Sequence, residues 1–91
     1  MIYNEKNVKL LYFSPYIKMK IENNKVIFYN YIFETVMEIE NKEDIIQRIK
    51  MGITLDELFI IMNTYFKEDE TKEMINKLIS YGVIEWKNII I

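Results

Sequence analysis

The sequence contains neither cysteine nor histidine, which excludes disulfides, thiolate nucleophiles, imidazole bases and the usual ligands of zinc or iron. Only two glycines and one proline are present, so there is no glycine-rich loop to bind phosphate. The remaining polar side chains show no recognisable arrangement of nucleophile, acid and base. We therefore expect a protein that is not an enzyme and that uses no metal and no cofactor.

Long apolar runs are also missing. No stretch approaches the roughly 18 residues that span a bilayer, and the first residues lack the basic and apolar regions of a signal peptide. The net charge is −2, and the 12 Lys and Arg residues are interleaved with 14 Asp and Glu residues. Binding to phosphate backbones or anionic lipids depends on clustered cations. We expect a cytoplasmic protein that does not bind membranes, and nucleic acid is a disfavoured partner.

The 91 residues are 51% apolar, which favours one folded domain over residues 1–91. Its first half has the alternation of β-strands. Residues 16–21 alternate between Tyr or Lys and apolar residues, which predicts a half-buried strand. A turn at residues 22–25 then leads into a second strand at 26–31, and residues 34–39 alternate again as a third strand.

Three helices are predicted after residue 40. Asn41 is positioned to cap the first helix, whose buried face carries Ile45, Ile46 and Ile49 and which ends at Gly52. The second helix has the sharpest signal, because Thr54 and Glu57 have capping-box spacing and Ile53 and Leu58 have hydrophobic-staple spacing. Its apolar face is formed by Leu55, Leu58, Phe59, Met62, Tyr65 and Phe66.

The third helix is predicted over residues 69–81, with acidic residues in its first turn and Gly82 at its end. Its apolar stripe consists of Met74, Ile75, Leu78 and Ile79. This stripe is wider than packing against one neighbour requires. Part of it is therefore predicted to face a groove, with Lys72 and Asn76 beside it.

The last residues, 83–91, are again strand-like and end in three isoleucines. An exposed apolar triplet drives association, so we weigh two interpretations. In one, the tail pairs with the N-terminal run near residues 10–13 and extends the sheet. In the other, it forms a homodimer or a surface that docks an enzyme.

Together these elements predict an α+β fold of the winged helix-turn-helix type, with a three-stranded antiparallel sheet followed by three helices and with additional terminal strands. The run from Tyr16 through Ile84 resembles the PqqD-like fold, a recognition element of pathways that make ribosomally synthesised, post-translationally modified peptides. Residues 1–14 and 85–91 flank this family-like core as extensions. The resemblance is carried by the segments Met37–Asn41, Lys50–Gly52, Ile53–Leu58 and Leu78–Ile84.

The resemblance implies a stand-alone protein that binds the leader segment of a precursor peptide and presents it to a maturation enzyme. That enzyme could be a radical enzyme, a cyclodehydratase, a protease or a cyclase. In the family, the leader adds as a strand to the edge of the third strand and packs beside the third helix. Carried onto this sequence, the edge is formed by Thr35, Val36, Met37, Glu38 and Ile39, and the groove wall by Lys72, Ile75, Asn76 and Ile79. The backbone of Val36, Met37 and Glu38 would pair with the leader.

Two alternatives stay open. The order of helices and strands also fits a winged-helix DNA-binding regulator, although Glu70 and Glu73 are poorly suited to the start of a recognition helix. A dimerising adaptor that uses residues 89–91 is the other alternative.

For the peptide-binding hypothesis, Glu34, Glu38 and Glu40 around the edge strand favour a leader with Lys or Arg beside apolar anchors.

Overall fold

The computed structural model describes residues 7–90, which form five strands and three helices. The three-stranded antiparallel sheet, the three helices that follow it and the additional terminal strands agree with the predicted α+β fold. In chain order the elements are β1 (Asn7–Phe13), β2 (Ile17–Glu22), β3 (Lys25–Asn30), β4 (Thr35–Glu40), α1 (Glu43–Met51), α2 (Leu55–Asn63), α3 (Glu68–Ser80) and β5 (Ile84–Ile90).

The three-stranded sheet has the order β2-β3-β4, with β3 in the centre. A two-residue turn joins β2 to β3, and both of its residues, Asn23 and Asn24, have positive φ values of 51° and 63°. Asparagine tolerates this left-handed conformation, and paired positive φ angles match the twist of a tight hairpin. The turn fixes the register, so that Glu22 lies opposite Lys25.

The terminal strands β1 and β5 pair with each other in antiparallel fashion, with Phe13 opposite Ile84 and Leu11 opposite Trp86. The predicted pairing of the tail with the N-terminal run is therefore confirmed. The pair does not extend the three-stranded sheet, however, but forms a separate two-stranded sheet. Its position is fixed by Leu11, which exchanges two backbone hydrogen bonds of 2.7 and 3.0 Å with Ile53 in the α1–α2 linker. Of the terminal isoleucines, Ile90 is 66% exposed, and residue 91 lies outside the described residues.

The helix ends largely follow the sequence signals. Thr54 is the N-cap of α2, and its hydroxyl oxygen accepts a hydrogen bond of 3.2 Å from the backbone N–H of Glu57. Gly52 ends α1 with a φ of 92°, and a Cβ at this position would lie 2.5 Å from the ring of Tyr12. This site therefore requires glycine for both its backbone angle and its space.

The predicted cap of α1 is wrong. The N-cap residue is Lys42, which makes no side-chain capping bond. Asn41 instead donates its backbone N–H to the carbonyl oxygen of Asn24, at 2.9 Å. The ladder between β3 and β4 thus continues one bond past Glu40, and the helix begins one residue later than predicted.

One core cluster joins the helices to the inner faces of both sheets, and the buried Ile45, Ile46 and Ile49 of α1 belong to it as predicted. The prediction of a half-buried β2 is mostly wrong, because Met19 is 38% exposed and Ile21 is 67% exposed. Both line a cleft that lies between the hairpin and α1. Within residues 7–90 there is no helix with the length and apolar character needed to cross a membrane.

Candidate functional site

β4 forms one edge of the three-stranded sheet. Its only strand neighbour within residues 7–90 is β3, so its other side carries backbone groups without a strand partner. The strand is firmly anchored, because Met37 and Ile39 are buried in the core, whereas Val36 points away from the core and is 60% exposed. An unpaired strand edge of this kind is a template for pairing with another extended chain.

The hairpin geometry shows which backbone groups face this free edge. Backbone groups alternate in direction along an antiparallel strand. The tight turn makes Glu22 and Lys25 a hydrogen-bonded pair, so odd-numbered residues of β3 face β2 and even-numbered ones face β4. Two bonds agree with this assignment: Tyr31 donates to the Tyr16 carbonyl at 3.1 Å, and Asn41 donates to the Asn24 carbonyl at 2.9 Å.

The register then places the same alternation on β4, where Met37 lies opposite Phe28 and Thr35 opposite Asn30. The N–H and C=O groups of Thr35, Met37 and Ile39 therefore face β3. Those of Val36, Glu38 and Glu40 face the free edge. Of the predicted docking residues, Val36 and Glu38 thus present their backbone for pairing. Met37, whose backbone the resemblance also assigned to docking, contributes only its side chain.

A cleft of about 240 Å³ lies between β4 and α3. Pockets for drug-sized ligands measure about 300–1,000 Å³, so this open cleft is suited to individual side chains of a chain lying along the edge. The side chains that line it combine two methionines with charged residues: Met37, Glu38, Glu70, Glu73, Met74 and Lys77.

None of the four groove residues predicted on the third helix lines this cleft. Ile75 is 1% exposed and belongs to the core. Lys72 and Asn76 are exposed, and at 100° per residue they lie on a different face of α3 from Glu73 and Lys77. Ile79 lines another cleft, described below. The predicted groove wall is therefore corrected to Glu70, Glu73, Met74 and Lys77.

The cleft carries three carboxylates and one ammonium group. Glu38 pairs with Lys25 at 3.0 Å, and Glu73 pairs with Lys77 at 3.3 Å. Among the residues that the structure describes, Glu70 has no ion-pair partner. All four ion-paired side chains are about half exposed or more, so these pairs are weak and exchangeable. The described part of the chain contains no group of three or more acidic residues that could hold a metal ion.

The start of β4 is fixed to the end of α3 by polar contacts around Asn30. This side chain is 2% exposed, and its Nδ2 donates to the carbonyl oxygen of Gly82 at 2.8 Å. Its Oδ1 accepts from the N–H groups of Ile32 and Phe33, at 2.9 and 2.8 Å, and so shapes the β3–β4 turn. The hydroxyl of Thr35 donates to the carbonyl oxygen of Tyr81 at 2.5 Å. These bonds set the position of the free edge relative to α3.

A second cleft, of about 250 Å³, lies at this junction on the other side of α3. Its lining is mostly apolar, and several of its aromatic and aliphatic side chains are substantially exposed, namely Tyr16, Ile32, Phe33 and Trp86. No sequence signal pointed to this surface, because its residues come from four separate segments of the chain.

Comparison of this chain with protein-family models, with curated proteins and with solved structures gives no match. The geometry of the edge strand and its cleft therefore carries the functional argument.

Proposed function

We propose that this protein binds an extended segment of a ribosomally synthesised precursor peptide by strand addition to β4 and presents it to a modifying or processing enzyme. The observation that supports this most directly is the free edge of β4, where the backbone of Val36 and Glu38 lies next to the cleft under α3. The sequence resemblance to PqqD-like recognition elements points to the same edge. The peptide's identity as a leader segment comes from that resemblance.

Strand addition separates affinity from specificity. Main-chain hydrogen bonds to the N–H and C=O groups of Val36 and Glu38 would supply affinity for any extended chain. Since side chains alternate along a strand, the peptide residue opposite Met37 would point into the cleft, and its neighbours would lie on the outer face of the sheet. The cleft would then select among peptides, while the partner enzyme would supply the chemistry.

The test is fluorescence polarisation with labelled leader segments from candidate precursor peptides encoded near the gene for this protein. In the Val36→Pro variant the edge N–H is lost, and the ladder to β3 is left intact because this N–H faces away from it. We expect binding to weaken at least about tenfold, since the substitution removes a hydrogen bond and places the ring in the path of the peptide. Val36→Ala is the matched control, because it shortens the side chain and retains the N–H.

Circular dichroism must show that Val36→Pro remains folded. Binding that stays at its original strength in this variant would contradict strand addition to β4. Binding only at millimolar concentrations in the original protein would contradict the proposed function itself.

The alternative of a DNA-binding regulator is less well supported. The helix that would enter the major groove, α3, begins with Glu68, Asp69 and Glu70, and these would face the phosphates. A salt-dependent mobility shift on duplex DNA would favour that alternative.

A further inference from the structure

We infer that the cleft beside β4 selects a peptide segment in which Arg or Lys directly follows or precedes a β-branched or aromatic residue. This inference rests on the proposed function, and it names the class of peptide that this particular edge would accept.

The inward-facing peptide residue would meet two kinds of surface. Opposite Met37 it would enter a cleft lined by the Met37 and Met74 side chains and by the carboxylates of Glu70 and Glu73. An aliphatic stem that ends in a cation matches this mixed lining, because Lys and Arg bury their methylene groups against apolar surface and keep the charge among polar groups. A purely aliphatic side chain would cover carboxylates without pairing with them, which is unfavourable.

The charges of the cleft favour a cation further. Glu38 and Glu73 are each paired with a lysine, Lys25 and Lys77, whereas Glu70 has no ion-pair partner within residues 7–90. An arriving guanidinium can form two parallel hydrogen bonds with a carboxylate, so Arg is expected to be preferred to Lys. An acidic peptide residue at this position would be repelled.

The adjacent peptide residue would face the outer side of the sheet. There it would lie beside Val36, which is paired with Tyr29 on the neighbouring strand. Both side chains are exposed, so a β-branched or aromatic residue would continue an existing cross-strand apolar row. Basic and apolar residues would thus be adjacent in the peptide because they point to opposite faces.

The experiment is a selection from random 12-residue peptides displayed on phage against the full chain, with Val36→Pro used for counter-selection. Selected peptides are synthesised and titrated against the original protein, against Glu70→Gln/Glu73→Gln, and against Glu43→Gln/Asp56→Asn. The last variant is the control, because it removes two first-turn acidic charges from α1 and α2, neither of which lines the cleft.

We expect the selected peptides to be enriched in Arg or Lys next to β-branched or aromatic residues. Their affinity should fall about two- to fivefold for each carboxylate removed from the cleft and should be unchanged in the control. The difference should shrink at high salt, since exposed charges are screened.

The outcomes separate the inference from the proposed function. The inference would be overturned if the selected peptides depend on the Val36 N–H but show no enrichment in Arg or Lys. It would also be overturned if they bind Glu70→Gln/Glu73→Gln with unchanged affinity. Either result would leave strand addition in place. Failure to select any peptide sensitive to Val36→Pro would overturn the proposed function, and the inference with it.

Discussion

Replacing Asn30 with alanine tests how the edge strand is held in place. The substitution removes one donor and one acceptor that together make three hydrogen bonds, to the carbonyl oxygen of Gly82 and to the N–H groups of Ile32 and Phe33. Because Asn30 is 2% exposed and Gly82 is buried, water does not readily replace the first of these bonds. The N–H groups of Ile32 and Phe33 are nearer to solvent, so water can replace their lost bonds and the cost in stability is smaller.

The magnitude follows from these three bonds. A buried group left without a partner costs about 1–3 kcal/mol, and each of the more accessible bonds contributes about 0.5–1.5 kcal/mol. We therefore expect the free energy of unfolding to fall by about 2–6 kcal/mol. For a domain of this size, 1 kcal/mol corresponds to roughly 4–8 °C in melting temperature, so the melting temperature should drop by at least about 8 °C.

The assay is urea and thermal unfolding followed by circular dichroism. Asn88→Ala is the matched control, since Asn88 is an exposed asparagine on β5, and it should change stability by no more than about 0.5 kcal/mol. If Asn30→Ala lost less than about 1 kcal/mol, or no more than the control, the reasoning about the β4–α3 junction would be refuted.

Three further predictions concern other parts of the fold. Thr71→Val should raise the free energy of unfolding by about 1 kcal/mol in urea titration, because the Thr71 hydroxyl is buried without a hydrogen-bond partner among the described residues; a loss of stability would contradict this. Gly82→Ala should lower it by at least about 2 kcal/mol, since φ is 74° and the new Cβ would lie 2.5 Å from the ring of Phe33; a neutral result would contradict both grounds, because the cost of the left-handed φ persists even if the ring moves. The hydroxyl of Tyr65 donates to Asp44 at 2.6 Å, and this bond raises the pKa of Tyr65 above its ordinary value of 10.0. The bond therefore stabilises the fold below pH 10.0, and this stabilisation is lost as the pH rises through the raised pKa. Ultraviolet difference titration should show a lower Tyr65 pKa in Asp44→Asn, and an unchanged pKa would contradict the assigned cause.

The elements of the fold were predictable where the sequence carries local punctuation. Thr54 and Glu57 mark the start of α2, and the two glycines mark helix ends, because these signals depend on neighbouring residues only. The pairing of the tail with residues 10–13 was predictable for a different reason, since apolar strands at a chain end need a partner. Asn41 misled because its backbone N–H bonds to Asn24 and adds it to the β3–β4 ladder, so that α1 begins one residue later, after Lys42.

The candidate site was only half predictable. Alternation along β4 distinguishes Val36 and Glu38 from Met37 and Ile39 without reference to other elements. The orientation of α3 is a tertiary property, and its broad stripe from Met74 to Ile79 left open which flank would face the sheet edge. Glu73 and Lys77 were missed because charged residues on a helix are usually solvated. The only signal for the flank of α3 that carries them was Met74, which lies at one margin of the apolar stripe.

Strand addition at β4 is tested most directly by amide hydrogen exchange measured residue by residue by NMR, with and without the leader peptide used for polarisation. We expect the N–H groups of Val36 and Glu38 to exchange readily in the free protein and to become protected when the peptide binds. The N–H of Met37 should be protected in both states, because it is already bonded to β3. Peptide binding that leaves the exchange of Val36 and Glu38 unchanged would contradict strand addition at β4.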